Sequence, residues 1–398
     1  MDAYLLEWLN LLVRWLHLIA GIAWIGASFY FIMLDNSLRP PAKADDVKRG
    51  VFGELWAVHG GGLYHSQKYL AGPVNEPLSE KLHWSKWEAY TTWMSGMGLL
   101  AIIYWCGAST YLIDNNVMAL SPAQAIGISI GAIVGGWLVY NGLCRLFDRQ
   151  EKLLIGLLFI AVIALDWALF QIFSARAAFI HVGAVLGTIM AANVFFVIIP
   201  GQKRMVADIR AGRQPDSEPG RLGKQRSVHN TYFTLPVLFI MISHHYPMTY
   251  SHPQGWLILA AMMTAGALIR QFFVLRHRGV AKAWLPVVAV LILLAVALSL
   301  APKPSSNQAA PAVTMAEVSA IVQQRCIACH ANQPTFAGFA APPKGVVLES
   351  GEQIQKHAAK MAETVATRYM PIGNLTKMTE AERERIALWF RQQEARSN

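Results

Sequence analysis

The stretch Leu153-Leu154-Ile155-Gly156-Leu157-Leu158-Phe159-Ile160-Ala161-Val162-Ile163-Ala164-Leu165-Asp166-Trp167-Ala168-Leu169-Phe170 holds one ionisable side chain, Asp166, in eighteen residues. As a helix it rises about 27 Å, close to the ~30 Å of a bilayer's hydrocarbon core. It is apolar on every side, which suits lipid and not the half-wet surface of a soluble bundle. With its flanks the run covers 152–173. Seven more follow the same pattern, at 9–34, 88–107, 123–145, 177–199, 231–247, 255–275 and 284–301. The expected architecture is therefore all-α, an eight-helix transmembrane bundle over residues 1–301. The stretch Val51–Leu70 is mixed, with Trp56, His59, Gly60-Gly61-Gly62, His65 and Lys68. It reads as a helix–turn piece at the membrane surface.

Composition agrees. Charged residues are 15% and hydrophobic ones 54% of 398, against about 25% charged in an ordinary soluble domain. That excludes a disordered chain and an ordinary soluble enzyme. The net charge of +10 sits in short loops between apolar runs, so it does not point to nucleic acid. The first run lacks a basic leader and a small-residue cleavage site, so no cleavable signal peptide is expected.

Loop charge sets the orientation. Loops 35–87, 145–152, 200–230 and 276–283 carry twenty Lys and Arg, whereas the alternate loops 108–122, 174–176 and 248–254 carry Arg176 alone. By the positive-inside rule the basic loops face the cytoplasm. The N-terminus and, after eight spans, the C-terminus face the periplasm of a bacterial inner membrane.

After the last span the chain changes character. Residues 302–314 are rich in Pro, Ala and Ser and read as a semi-extended linker. Residues 315–398 have soluble composition, with helices expected over Met315–Gln324 and Glu380–Gln393. This tail holds Cys326-Ile327-Ala328-Cys329-His330, the C-x-x-C-H attachment signal of c-type haem. Two thiols one helical turn apart reach the two vinyl groups of one porphyrin, and His330 meets the iron from the same side. A zinc half-site lacks a second Cys pair, and no thioredoxin-like βαβ pattern surrounds the motif. Cys106 and Cys144 read as small buried hydrophobes. The sixth ligand is expected from Met370, beside Pro371, with Met361 and Met378 as alternatives. A methionine ligand raises the potential. The tail is thus expected to be a small helical class I cytochrome c domain carrying electrons, with His330 and Met370 on the iron.

Ionisable groups inside spans are functional candidates. His17 and His181 lie at matching depths in the outer half, so a haem b held between them is one reading. Helix-packing histidines are the other, and His244 and His245 are substitutes. On the inner side lie His59, His65, His83, Glu88, His229, Arg270 and Gln271. Arg270 and Gln271 suit a planar acidic heterocycle through bidentate donation, with His59 and His65 as base or ligand. A structural ion pair for Arg270 and an interfacial turn for the histidines stay open. Asp166, Asn141 and Asn193 are further in-span polar groups, open between proton relay, substrate contact and helix glue.

Arg325-Cys326-Ile327-Ala328-Cys329-His330, Arg368-Tyr369-Met370-Pro371-Ile372-Gly373-Asn374-Leu375-Thr376, Trp15-Leu16-His17-Leu18 and Trp56-Ala57-Val58-His59-Gly60-Gly61-Gly62 together resemble the bacterial membrane-bound urate hydroxylases of the PuuD type. The resemblance covers the whole chain. It implies an oxidoreductase of purine degradation that oxidises urate to 5-hydroxyisourate. Electrons would pass through the tail to a soluble cytochrome c or a terminal oxidase of the respiratory chain, with no direct use of oxygen. Urate is an easily oxidised anion and water can supply the added oxygen. Two other readings stay open: a membrane cytochrome subunit relaying electrons from a quinol or partner dehydrogenase, and a transporter with a redox tail.

Overall fold

The computed structural model describes residues 3–74, 76–301, 312–336, 339 and 341–397. Most of the expected linker, 302–311, lies outside the described residues. The chain is mostly helical. The long helices are α1 (Ala3–Ser37), α2 (Trp87–Leu100), α3 (Pro122–Leu146), α4 (Glu151–Phe170), α5 (Ala175–Ala192), α6 (Ile199–Arg210), α7 (Ser217–Ser243), α8 (Gly255–His277) and α9 (Trp284–Ser299). A π-helical turn, Asn193–Ile198, joins α5 to α6, and two more, Ala101–Trp105 and Ala108–Leu112, continue α2. Among the described residues, five helical stretches are long and apolar enough to cross a membrane: Tyr4–Ser37, Pro122–Leu146, Glu151–Phe170, Ala175–Arg210 and Gly255–His277. Trp284–Ser299 is a shorter apolar helix.

α5 is the hub. Ala177, Phe179, Val182, Val185, Leu186 and Ile189 are buried along it, packed against α3, α4 and α7. Two glycines permit the close approach. A Cβ on Gly136 would stand 2.4 Å from Val185, and one on Gly183 would stand 2.6 Å from Ile240. Small residues at such crossings let helix backbones meet where burial from water supplies no driving force. The outward faces stay apolar, as at Phe159, Ile160 and Trp167 on α4.

The all-α expectation needs one correction. Val51–Leu70 is an antiparallel hairpin of β1 (Val51–His59) and β2 (Gly62–Tyr69), with His59 opposite Gly62. The reason is the turn. Gly60 and Gly61 both have positive φ, 61° and 81°, the conformation that a two-residue hairpin loop demands and glycine supplies. Val51, Phe52, Val58 and Tyr64 favour the extended flanks.

The tail is helical with its own core. Helices α10 (Met315–Arg325), α11 (Ile327–His330), α12 (Ala358–Ala366) and α13 (Glu380–Ser397) enclose Val318, Val322, Ile354, Met361, Val365, Ile386 and Trp389. Thr314 and Glu317 cap α10 reciprocally, satisfying two otherwise free amides.

Candidate functional site

The C-x-x-C-H turn is set by α10 and α11. The His330 amide bonds the Cys326 carbonyl at 2.9 Å, so the two cysteines and the histidine share one turn. Both thiols are free. Burial pushes the Cys326 thiol up to about 12 and also raises Cys329. His330 Nδ1 donates to the Val346 carbonyl at 2.9 Å. That bond fixes the ring and leaves Nε2 as the lone-pair atom, the arrangement seen in metal-ligating histidines. Met370 is half-buried against the tail core. Its two sequence alternatives are inside that core, with Met361 at 7% and Met378 at 3% exposure. These residues could hold one haem c, with Cys326 and Cys329 bonded to it and His330 and Met370 on its iron.

The tail rests on one end of the helix bundle. Tyr369 packs against the core of the bundle, and Tyr111 lies within electrostatic reach of both Tyr369 and Cys329. Between tail and bundle is a cleft of about 450 Å³, lined among others by Tyr111, Phe173, Arg176, Tyr250, Tyr369 and Arg383. Arg176 lies 5.6 Å over the Tyr111 ring and within electrostatic reach of Tyr104. Burial pushes the Tyr250 phenol well above its ordinary range, so it stays a donor.

His17 and His181, the pair expected for haem b, each bond protein partners. His181 is fully buried, and both its ring nitrogens are used. Nδ1 donates to the Ala177 carbonyl at 2.7 Å, and Nε2 is 2.7 Å from Ser129 Oγ. Ser129 in turn accepts from Trp105 Nε1 at 2.9 Å, so its hydroxyl donates to His181 and consumes the lone pair that iron would need. Phe173 and Tyr104 close on the ring. His17 Nδ1 donates to the Thr92 carbonyl at 3.0 Å, and a Cβ on Gly96 would meet its ring at 2.9 Å. The two histidines bond to different neighbours, α2 and α3.

The expected catalytic set is not drawn together either. His65 bonds Glu54 at 2.7 Å and stacks on Trp56, while His59 is exposed at the hairpin tip. The Ala42 amide and His65 hold the Glu54 carboxylate below its ordinary range. Gln271 accepts from the Tyr232 hydroxyl. Arg270 is buried over the Phe29 ring at 4.1 Å, with Nε and Nη2 unbonded. No recorded bond or ring contact links Arg270 to His59 or His65.

A polar network lies on the same side as Arg270. Tyr140 Oη pairs with His229 Nδ1 at 2.8 Å, and Asn193 donates to Tyr140 and to Asn230, each at 2.9 Å. Arg226 donates to Asn141 at 3.1 Å. Asn193 opens the π-helical turn, a feature frequent at functional sites. Asp166 is fully buried, and neither carboxyl oxygen bonds anything among the described residues.

A family model described as urate oxidase N-terminal matches residues 3–301. The chain belongs to that family. No curated protein and no solved structure matches it. Membership in the urate oxidase N-terminal family covers the whole helical bundle and stops where the tail begins, so it bears on urate-related oxidation and leaves the C-x-x-C-H tail to its own residues. The cleft was missed in the sequence, although Arg176, the sole basic residue of the alternate loops, pointed to it.

Proposed function

We propose that this chain is a membrane-bound urate hydroxylase that oxidises urate to 5-hydroxyisourate and delivers the electrons through a haem c on its tail to the respiratory chain. The balance is urate plus water giving 5-hydroxyisourate, two protons and two electrons. Family membership of residues 3–301 carries the urate half of this reading. The donor set of the tail supports the other half: two free thiols one turn apart, and a histidine oriented through Nδ1. Haem c, when bound, accepts one electron at a time and passes it on. The chain's own residues bind and orient the substrate, keep the bundle closed and hold the tail against it through Tyr369.

On this reading α1, α2 with its π turns, α3, α4, α5–α6, α7, α8 and α9 are eight spans. The N-terminus and tail are periplasmic, and a soluble cytochrome c or terminal oxidase receives the electrons. Anaerobic addition of urate to the purified full-length protein should reduce haem c with no second protein present. Haem c that stays oxidised with urate but is reduced by a quinol would replace this reading with the relay subunit. The alternative of a transporter predicts urate uptake into liposomes without any electron acceptor.

A further inference from the structure

Two buried polar atoms without hydrogen-bond partners, Arg176 Nε and Tyr250 Oη, belong to residues that line the ~450 Å³ cleft between tail and bundle. Arg383 also lines it, with its Nε 3.7 Å from the Glu380 carboxylate. Tyr250 and Arg383 are 4% and 5% exposed. Leaving a buried polar group unbonded is costly, and more so if it is charged. Two on one cavity suit a ligand rich in acceptors.

The rest of the lining narrows the chemistry. The lining includes two partly exposed flat rings, those of Tyr111 and Tyr369. The field is basic, because Arg176 lies within reach of Arg14, and Arg14 is bonded to the neutral Asn10. Of the two acids on the rim, Glu380 is bonded to Arg368 and ion-paired with Arg383, and Asp114 is bonded to Asn116. The cavity is separate from the haem position, since none of Cys326, Cys329, His330 and Met370 lines it. It adjoins that position, because Tyr369 precedes Met370 and Tyr111 is close to Cys329.

We infer that this cleft binds a planar oxopurine anion, the substrate under the urate reading on which this inference rests. Arg176 and Tyr250 donate to its carbonyl oxygens, and the tyrosine rings cover its faces. The two other unsatisfied guanidiniums lie much farther from the tail. Arg226 is about 26 Å along α7 from its tail-side end, and Arg270 about 22 Å along α8. Electrons released there would have to cross most of the bundle, whereas in the cleft they start beside haem c.

The test uses purified full-length protein with its haem c. Two quantities are read: equilibrium binding of 8-azaxanthine, a planar oxopurine anion that is not oxidised, and the urate concentration that half-saturates anaerobic haem c reduction. Tyr250→Phe removes an unbonded hydroxyl and should leave folding and the haem c spectrum intact. Both this variant and Arg176→Gln should weaken binding and raise half-saturation at least fivefold. Binding and half-saturation within twofold of the unaltered protein in both variants overturn the inference, as does loss of binding in Arg270→Gln with Tyr250→Phe unchanged. Urate reduction of haem c that persists in those cases leaves the functional reading standing. If the unaltered protein neither binds 8-azaxanthine nor is reduced by urate, the functional reading fails and the inference with it.

Discussion

Arg383 Nη1 donates to the backbone carbonyl of Met370 at 2.6 Å, and the same nitrogen donates to the Val365 carbonyl at 2.9 Å. Nη2 reaches Asn374 Oδ1 at 3.1 Å. One guanidinium from α13 thus ties the end of α12 to both sides of the Met370 loop. Hydrogen bonds from a charged donor contribute about 1.5–3 kcal/mol each, and this residue is 5% exposed.

Replacing Arg383 should therefore release the loop that presents Met370. In Arg383→Ala the methionine–iron charge-transfer band should weaken or vanish and the potential of haem c should fall, as in Met370→Ala. The tail should also melt earlier. Arg383→Lys keeps the charge but not the fork, and should fall between the two. A full-strength band in Met370→Ala would move the sixth ligand to another residue. A full-strength band in Arg383→Ala would leave Met370 in place without this tether.

Topology follows from loop charge. With twenty basic residues on one set of loops and Arg176 alone on the other, a reporter fused after Asn398 should be active only if it is of the periplasmic type. Activity of a cytoplasmic reporter at that position would mean that one of the eight runs does not cross. The first to suspect is 231–247, which lies within the longer and more polar helix α7.

What could be read in the sequence was what repeats or what is short. The apolar runs show as helices because each spans many residues of one character, and the C-x-x-C-H turn is complete within five. The hairpin was missed because its three glycines were taken for a break between helices, when two of them sit at positive φ in a two-residue loop. The bonds of His181 could not be read in advance, because its partners Ser129 and Ala177 are ordinary residues that carry no signal. The cleft draws on segments near residues 111, 173, 250, 369 and 383. Nothing in one dimension brings those together.

Acid should loosen the tail through Glu382. Burial alone would raise this carboxyl. The Thr379 amide at 2.6 Å and the Arg325 guanidinium at 3.0 Å more than offset that and hold it below its ordinary value. A carboxyl whose folded value is depressed contributes stability above its unfolded value of about 4.3, and the contribution is lost as pH falls through the folded value. The melting temperature of the tail should therefore drop below about pH 4. Glu382→Gln should lower it at neutral pH and flatten that acid limb. An acid limb unchanged in Glu382→Gln would assign the effect to other carboxylates.

The last prediction concerns how many haems the protein carries. His181 Nε2 takes its hydrogen bond from Ser129, which takes one from Trp105, so the ring is already saturated inside the bundle. A structural role follows. Ser129→Ala should destabilise the protein by about 1–3 kcal/mol, the cost of leaving a buried group unbonded, and should not change haem content. Acid–acetone extraction of the purified protein should release no haem, with one covalent haem c per chain left behind. This result suits a substrate that reacts in the tail-side cleft, where no intermediate carrier is needed. Extractable haem that disappears in His17→Ala or His181→Ala would mean that Ser129 gives way to iron. A relay through the bundle would then return, and with it the deeper guanidiniums Arg226 and Arg270 as places for the substrate.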